Sequence, residues 1–285
     1  MAEKKTRQGL RERLRVADGP VTLLGYETDA KPLAPGGKAN AVRDLSATGA
    51  LLAERQEMLF ANGSTGDRRR VLLILQGMDT SGKDGVVRHV VGEVGPAGVS
   101  IRSFKKPTPA EAAHHFLWRI RRALPAAGMI GVFNRSHYED VLITRVHEWI
   151  DEDTWARRIE EINAFEQELV DSGTTILKCF LHISYATQRE RLLARLDDET
   201  KRWKFNPGDI DERAYWSDYQ ATYASVIART STEAAPWYIV PSDRKWYRNW
   251  AIGQLLAEAL GELKLSYPDA DFDIEAARAR LQPPF

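Results

Sequence analysis

Five short apolar runs punctuate the chain: Val71 to Leu75, Val99 to Phe104, Met129 to Phe133, Thr175 to Ile183 and Trp237 to Val240. Continuous apolar runs of this length, rather than alternating ones, read as strands covered on both faces, the habit of a parallel sheet. Helical patterns fill the intervals. Val42, Leu45, Leu51, Leu52, Met58, Leu59 and Phe60 predict a helix from about Ala41 to Ala61, and Trp155–Val170, Ala214–Thr230 and Trp246–Leu263 predict three more. Thr108-Pro109-Ala110-Glu111 carries a capping-box signature, and Asp209 with Glu212 repeats that logic ahead of the 214–230 segment. Strands alternating with helices predict one α/β domain around a five-stranded, mainly parallel sheet. Residues 31–38 (KPLAPGGK) read as loop or extended arm, and no repeat or low-complexity tract interrupts the series.

Composition narrows the class. The 285 residues are 43% hydrophobic and 28% charged, with 40 Lys and Arg against 40 Asp and Glu. That is a globular balance, and zero net charge argues against a protein that coats nucleic acid or membranes over its whole surface. A lone cysteine, Cys179, excludes an internal disulfide framework and a CxxC motif. No apolar run is long enough to span a bilayer, and the first residues (MAEKKTRQGLRERLRV) lack a signal-peptide core, so a cytoplasmic protein without membrane partners is expected. The neutral total conceals segregation. Residues 67–135 hold 12 Lys and Arg against 5 Asp and Glu, whereas residues 151–172 hold 2 against 8 and residues 255–285 hold 3 against 6.

The most informative stretch follows the first strand: Gly77-Met78-Asp79-Thr80-Ser81-Gly82-Lys83-Asp84-Gly85. Gly, four residues, then Gly-Lys is Walker A spacing. Glycines let successive backbone N–H groups turn inward, the next helix presents its positive end, and Lys83 supplies a mobile point charge for a phosphoryl group. A Gly-rich strand–helix turn without a ligand is the bland alternative. Asp84 stands where Ser or Thr usually binds Mg²⁺, and a second carboxylate, Asp79, lies inside the loop. An acid facing phosphates is tolerable where a metal lies between them or where it handles a proton.

After the third strand comes Asn134-Arg135-Ser136-His137-Tyr138-Glu139-Asp140, at the strand end where open α/β sheets bind ligands. Arg135 suits a transferring phosphate, and Glu139 or Asp140 suits a metal or a ribose hydroxyl. A capped turn with a surface ion pair competes with that reading, and His137 receives no chemical role. Cations gather after the second strand (Lys105, Lys106) and after the fourth (Arg189, Arg191, Arg195, then Lys201-Arg202-Trp203-Lys204). Such runs are commonly solvated faces. Here the second follows the fourth strand, where mononucleotide kinases carry a mobile lid, and it interleaves aromatics with cations. Surface exposure explains Arg119, Arg121 and Arg122 equally well, and Trp237, Trp246 and Trp250 read as core packing.

GMDTSGKDG, FNRSHYEDVL, KRWKFNPGD and STEAAPWYIVPSDRKWYRNW, in this order, resemble the polyphosphate kinase 2 family over roughly residues 40–265. The resemblance implies a thymidylate-kinase-like P-loop kinase fold of three layers with a helical lid. It also implies Mg²⁺-dependent phosphoryl transfer (Mn²⁺ as the substitute) between inorganic polyphosphate and ADP, ATP or AMP, in a homo-oligomer, dimer or tetramer. By position, Asp79 would assist metal or proton handling; Lys83 and the backbone of Gly77, Met78, Thr80, Ser81, Gly82, Asp84 and Gly85 would cradle phosphates. Arg135 would bind the transferring group, with Asn134, Glu139, Lys105 and Lys106 beside it. Arg189, Arg195, Lys201, Arg202 and Lys204 would close over polyphosphate.

The motif at Asn134 to Glu139 resembles the subgroup acting on both nucleoside mono- and diphosphates, because the diphosphate-specific subgroup usually has Asp at position 134 and no acid at 139. With Asn134 in place of a Walker B acid, the metal burden shifts to Asp79 and Glu139. The implied organisation is an N-terminal extension and helix packing on the core (residues 1–65), a kinase domain (66–265) with its lid near 186–215, and a tail (266–285). The alternatives are an ATP-dependent nucleoside or nucleotide kinase of the same fold, and a P-loop protein that binds nucleotide without transfer.

Overall fold

The computed structural model describes residues 9–281. In chain order the elements are α1 (Leu10–Leu14), α2 (Lys38–Ser64), β1 (Arg70–Gln76), α3 (Lys83–His89), β2 (Val99–Ser103), α4 (Pro109–Ala112), α5 (Trp118–Arg121), β3 (Ile130–Asn134), α6 (Glu139–Val146), α7 (Glu152–Asp171), β4 (Thr174–His182), α8 (Tyr185–Asp197), α9 (Gly208–Ala214), α10 (Trp216–Thr230), β5 (Trp237–Pro241), α11 (Lys245–Glu262) and α12 (Ile274–Leu281). All five expected strands form, in one sheet of order β2-β3-β1-β4-β5, and every pairing is parallel.

Period-two alternation divides each strand between two cores. Leu72 and Ile74 of β1, with Ile176 and Phe180 of β4, face a layer that includes Trp155 and Phe165 of α7 and Tyr223 of α10. Val71, Leu73 and Leu75, with Leu177, Cys179 and Leu181, face α2, α3 and α11 through Leu52, Val86 and Leu256. This is a three-layer sandwich. Burial also holds the Cys179 thiol far from reactivity, its pKa pushed up to about 12. Trp237 and Trp250 are buried, as their core reading requires.

Two local expectations need correction. The second apolar run is not covered on both faces: β2 is the edge strand, paired with β3 alone, and Ile101, Arg102 and Ser103 are exposed. The segment near Asp209 is not one helix capped by that residue. Asn206 Oδ1 accepts the Gly208 N–H at 3.0 Å, α9 starts behind Pro207, and the chain breaks again at Tyr215 before α10. Asp209 therefore sits in the first turn of α9, 3.4 Å from Arg195. The Thr108 capping box forms as expected. Along the other sheet edge, Val16 N–H donates to the Trp237 carbonyl, so the residues after α1 cover β5. Among the described residues no helix is long and apolar enough to cross a membrane.

Candidate active site

Strand order places β1 between β3 and β4, so the β1–α3 loop emerges where connections diverge to the two sides of the sheet. Two glycines set its course. Gly77 has φ +150° and a Cβ there would lie 2.7 Å from the Leu181 carbonyl; Gly82 has φ +105°, and a Cβ would collide with the Arg248 guanidinium. Loop carbonyls are held from outside. Arg191 donates to Thr80 O (2.9 Å) and Ser242 O (2.7 Å), Arg248 to Ser81 O (3.0 Å) and Gln188 to Asp79 O (3.2 Å). With carbonyls anchored outward, loop amides can face an anion, except that of Ser81, whose N–H donates to the Met78 carbonyl at 3.0 Å. Lys83 is buried and donates to Gly77 O at 2.7 Å. Burial, then the Arg135 charge, lowers its pKa to about 8.

Across the loop, Arg135 stands at the end of β3 in a left-handed conformation (φ +62°), an uncommon state for a residue with a Cβ. Its Nη2 is 2.8 Å from Asp79 Oδ1 and its Nη1 3.6 Å from Glu139 Oε2. Glu139 and then Asp79 raise the Arg135 pKa above its ordinary value, outweighing burial. Burial pushes the Glu139 carboxyl up against the opposing pull of Arg135 and Lys83. Gln76, oriented by its neighbours, donates to Glu139 Oε1 and accepts the Ser136 N–H, both at 3.1 Å. Asn134 donates to Asp84 Oδ1 at 2.8 Å.

Two cavities meet at this point. The larger, about 670 Å³, is lined by 11 Lys and Arg against 2 Asp. The smaller, about 240 Å³, reverses the balance, with Asp79, Glu139, Asp209 and Glu212 against Arg135 alone, beside Tyr219 and Tyr223. Asp79 and Arg135 are the residues common to both linings. Their ion pair is the partition.

The expected residues distribute unevenly over this geometry. Thr80, Gly82, Lys83, Asp84, Gly85, Lys105, Lys106, Asn134, Arg195, Lys201 and Lys204 line the cationic cavity, while Gly77, Met78 and Glu139 line the smaller one. Ser81 is fully buried within the loop. Arg189 and Arg202 reach neither cavity: Arg189 is exposed, and Arg202 turns back onto Glu199 and the Leu196 carbonyl. Asp140, the alternative to Glu139, faces Arg119 at 3.3 Å instead. Arg119 itself is buried, and it also donates to Lys105 O at 2.7 Å, so surface exposure does not explain it.

The charge excess of residues 67–135 lies only partly at the site. Lys83, Arg88, Lys105, Lys106 and Arg135 line the cavity, while Arg69 pairs with Asp67 and Arg70 donates to the Pro125 carbonyl ahead of β1. Sequence reading missed Arg88, Lys245 and Arg248 on the cationic side, gave Arg191 no site role, and missed Glu212, Tyr219 and Tyr223 on the other. The available signal for Lys245 and Arg248 was their place in the first turn of α11, directly after a strand. The tyrosines had none, because a tyrosine on an amphipathic helix reads as core.

A Walker-type loop on a parallel sheet, facing a cationic cavity and a carboxylate-lined one, defines a P-loop phosphotransferase. The comparisons with known proteins agree. The chain belongs to the Polyphosphate kinase 2 (PPK2) family, whose model matches residues 39–267. It is 44% identical to the AMP/ADP-polyphosphate phosphotransferase of Meiothermus ruber, over 89% of this chain and 94% of that one. It is 45% identical to the ADP-polyphosphate phosphotransferase of Rhodopseudomonas palustris, over 76% and 78% of the two chains. The structure is similar to the crystal structure of polyphosphate kinase 2 from Arthrobacter aurescens TC1, with TM-score 0.94, 51% identity and 96% of each chain covered.

Proposed function

We propose that the protein transfers a phosphoryl group between inorganic polyphosphate and ADP, and also AMP, by direct in-line displacement. One observation carries the reading: two cavities of opposite charge character meet at the Asp79–Arg135 pair beside the phosphate loop. Polyphosphate, a chain of anions without other recognition features, belongs in the cationic cavity. A nucleotide offers hydroxyls and a base to carboxylates and tyrosines, so it belongs in the smaller one. Its phosphate then points at the partition.

In the forward direction an oxygen of the nucleotide's terminal phosphate attacks the end phosphorus of polyphosphate. A new P–O bond forms, the bridging P–O bond breaks, and the shortened chain leaves with that electron pair. The attacking oxygen is already largely deprotonated at neutral pH, since the second phosphate pKa is about 6. Catalysis therefore depends on placement and charge neutralisation more than on a strong base. Lys83 and the loop amides hold the donor's end, and Arg135 spans the oxygens of the group in transit. The left-handed turn at Arg135 aims its fork across the loop rather than along the strand. Lys204 approaches Asp84 (3.8 Å) from the segment after α8, which we read as the lid closing over the donor.

A divalent metal, Mg²⁺ or Mn²⁺, fits the donor set: Asp79 and Glu139 line the same cavity beside the phosphate loop, and Mg²⁺ is commonly held by one or two carboxylates together with substrate phosphates. Asp79 and Glu139 would hold it, and when bound it supplies neutralisation of phosphate charge.

Purified protein given Mg²⁺, long-chain polyphosphate and either ADP or AMP is expected to yield ATP or ADP. Absence of product with both acceptors across the full Mg²⁺ range would reject the reading. Activity with ATP and a nucleoside but none with polyphosphate would establish the ATP-dependent alternative.

A further inference from the structure

Beneath the motif that carries Arg135 and Glu139 lies a polar network that the transfer chemistry does not use. His137 and Tyr138, two of the three residues between them, are fully buried and point away from both cavities into the layer between the sheet and α7. His137 Nε2 lies 3.2 Å from Glu166 Oε1, and the Tyr138 hydroxyl donates to the same oxygen at 2.8 Å. Lys178, on β4, donates to Glu166 Oε2, to the Tyr138 hydroxyl (3.0 Å) and to the Thr230 carbonyl (2.6 Å). Thr230 in turn accepts the Trp237 indole N–H at 2.8 Å. Glu166 and Lys178 are 1% and 0% exposed, so this is an ion pair wholly removed from water.

Stability is a weak reason for such a pair. Two charges lose their hydration on burial, and apolar residues of similar volume commonly replace a buried pair at no loss or with a gain. Neighbouring positions on β4 and α7 are apolar in just this way: Ile176, Phe180, Ile162 and Phe165. What the pair supplies instead is direction. A hydroxyl fixed between a carboxylate acceptor and an ammonium donor holds the Tyr138 ring at one position. The second carboxylate contact does the same for His137. Two consecutive pinned side chains fix the turn, and the turn has to hold Arg135 in its strained left-handed state while α6 begins at Glu139.

We propose that Glu166 and Lys178 are positioning residues for phosphoryl transfer: through His137 and Tyr138 they set the placement of Arg135 and Glu139 at the partition between the cavities. This rests on the functional reading above, since it assigns Arg135 to the transferring group.

The test is the double variant Glu166→Gln, Lys178→Met, compared with the wild type and with each single change. Each single variant leaves one uncompensated buried charge and loses stability, whatever the network is for. The double variant removes both charges while keeping volume, and its melting temperature is expected to return to that of the wild type. Its kcat is expected to stay about 10- to 100-fold low, because misplacing a reacting group by an ångström costs on that order. KM for polyphosphate and for the nucleotide should change less than kcat does, as only Arg135 and Glu139 shift while the other lining residues of both cavities stay in place. Tyr138→Phe, which keeps the ring and removes the hydroxyl, should lower kcat in the same sense. A second readout needs no turnover: in a crystal structure of the double variant Arg135 should leave its 2.8 Å contact with Asp79. Wild-type kcat in a double variant of restored stability, or an Arg135–Asp79 contact unchanged in its crystal structure, overturns the proposal. Loss of kcat without recovery of the melting temperature in the double variant also overturns it, for the network is then structural support. Should the wild type itself show no transfer, the functional reading fails, and the position of Arg135 in the variant still decides whether the network places it.

Discussion

The cationic cavity draws on six separate segments: the phosphate loop, the ends of β2 and β3, α8, the stretch around 201–204, and the first turn of α11. Most of its charges sit on long, exposed side chains, among them Lys105, Lys106, Lys201 and Lys204. The smaller cavity is made largely from α6, α9 and α10, and its polar groups are held: Tyr219 donates to Glu212 at 2.7 Å, His147 lies 3.1 Å from the same carboxylate, and Tyr219 and Tyr223 are buried. On the proposed reading, loose charge suits a flexible polyanion that offers many equivalent phosphates. Fixed donors and acceptors suit a single molecule that must present one oxygen. Exposed charges also act through a screened field, whereas buried hydrogen bonds do not. The two sides should therefore respond differently to the same perturbation.

The largest effects are expected at the partition and at Lys83 beside it, where the comparison breaks down because both substrates would depend on the same groups. Lys83→Ala, Asp79→Ala and Arg135→Ala should each lower kcat by about 10³-fold, on the scale of losing one preorganised charge-stabilising group. Circular dichroism melts should remain cooperative. Turnover near the wild-type level in any of the three would show that transfer happens elsewhere.

One step down, changes confined to one cavity should separate the substrates. Tyr219→Phe or Glu212→Gln should raise the nucleotide KM about tenfold, the cost of about one buried hydrogen bond, and leave the polyphosphate KM in place. Lys204→Gln should do the reverse, by about threefold at low salt, and the difference should vanish near 1 M salt, where the screening length is about 3 Å. An identical salt response of both KM values would remove the distinction between the cavities.

Proton balance sharpens the same contrast. Lys83 loses its proton as pH rises, and burial, seconded by Arg135, has lowered its pKa to about 8. In the free enzyme the cation is therefore present below that value and lost above it. The profile of kcat/KM for polyphosphate should fall above about pH 8, approaching tenfold per pH unit. Lys83→Arg should abolish that limb whatever it does to the rate. A limb that persists in the arginine variant would belong to another group.

How far the sequence disclosed this arrangement depends on what kind of residue was asked. Strand runs and the phosphate loop were legible because their spacing is set by local geometry: the positive φ at 77 and 82 calls for glycine whatever distant group also packs against it. The edge position of β2 was not legible, since nothing inside Val99 to Phe104 says whether a further strand pairs beyond it. Arg119 and Arg191 show the harder limit. Each sits on a helix whose pattern reads as solvated, and each is instead turned inward onto carbonyls brought from elsewhere by the sheet. Arg102, on exposed β2, looks the same in sequence and makes no such contact.

The smallest expected effect follows from that distinction. Charge runs around α8 and the stretch after it contain two cations that face away from the cleft. Arg202 is engaged with Glu199 and with the Leu196 carbonyl, within its own segment. Arg189 sits on the exposed face of α8, two positions before Arg191 and so about 200° around the helix from it. Neither lines either cavity, and at several ångströms in water a single unit charge is worth well under 1 kcal/mol. Arg189→Ala and Arg202→Ala should each change kcat and both KM values by less than about twofold, against a threefold rise in polyphosphate KM for Lys204→Gln. Steady-state kinetics at low salt, where field effects are largest, checks this. A polyphosphate KM raised in Arg202→Ala as much as in Lys204→Gln would mean that the segment turns its outer face inward when polyphosphate binds, and the cationic cavity would then be larger in the working enzyme than its present lining shows.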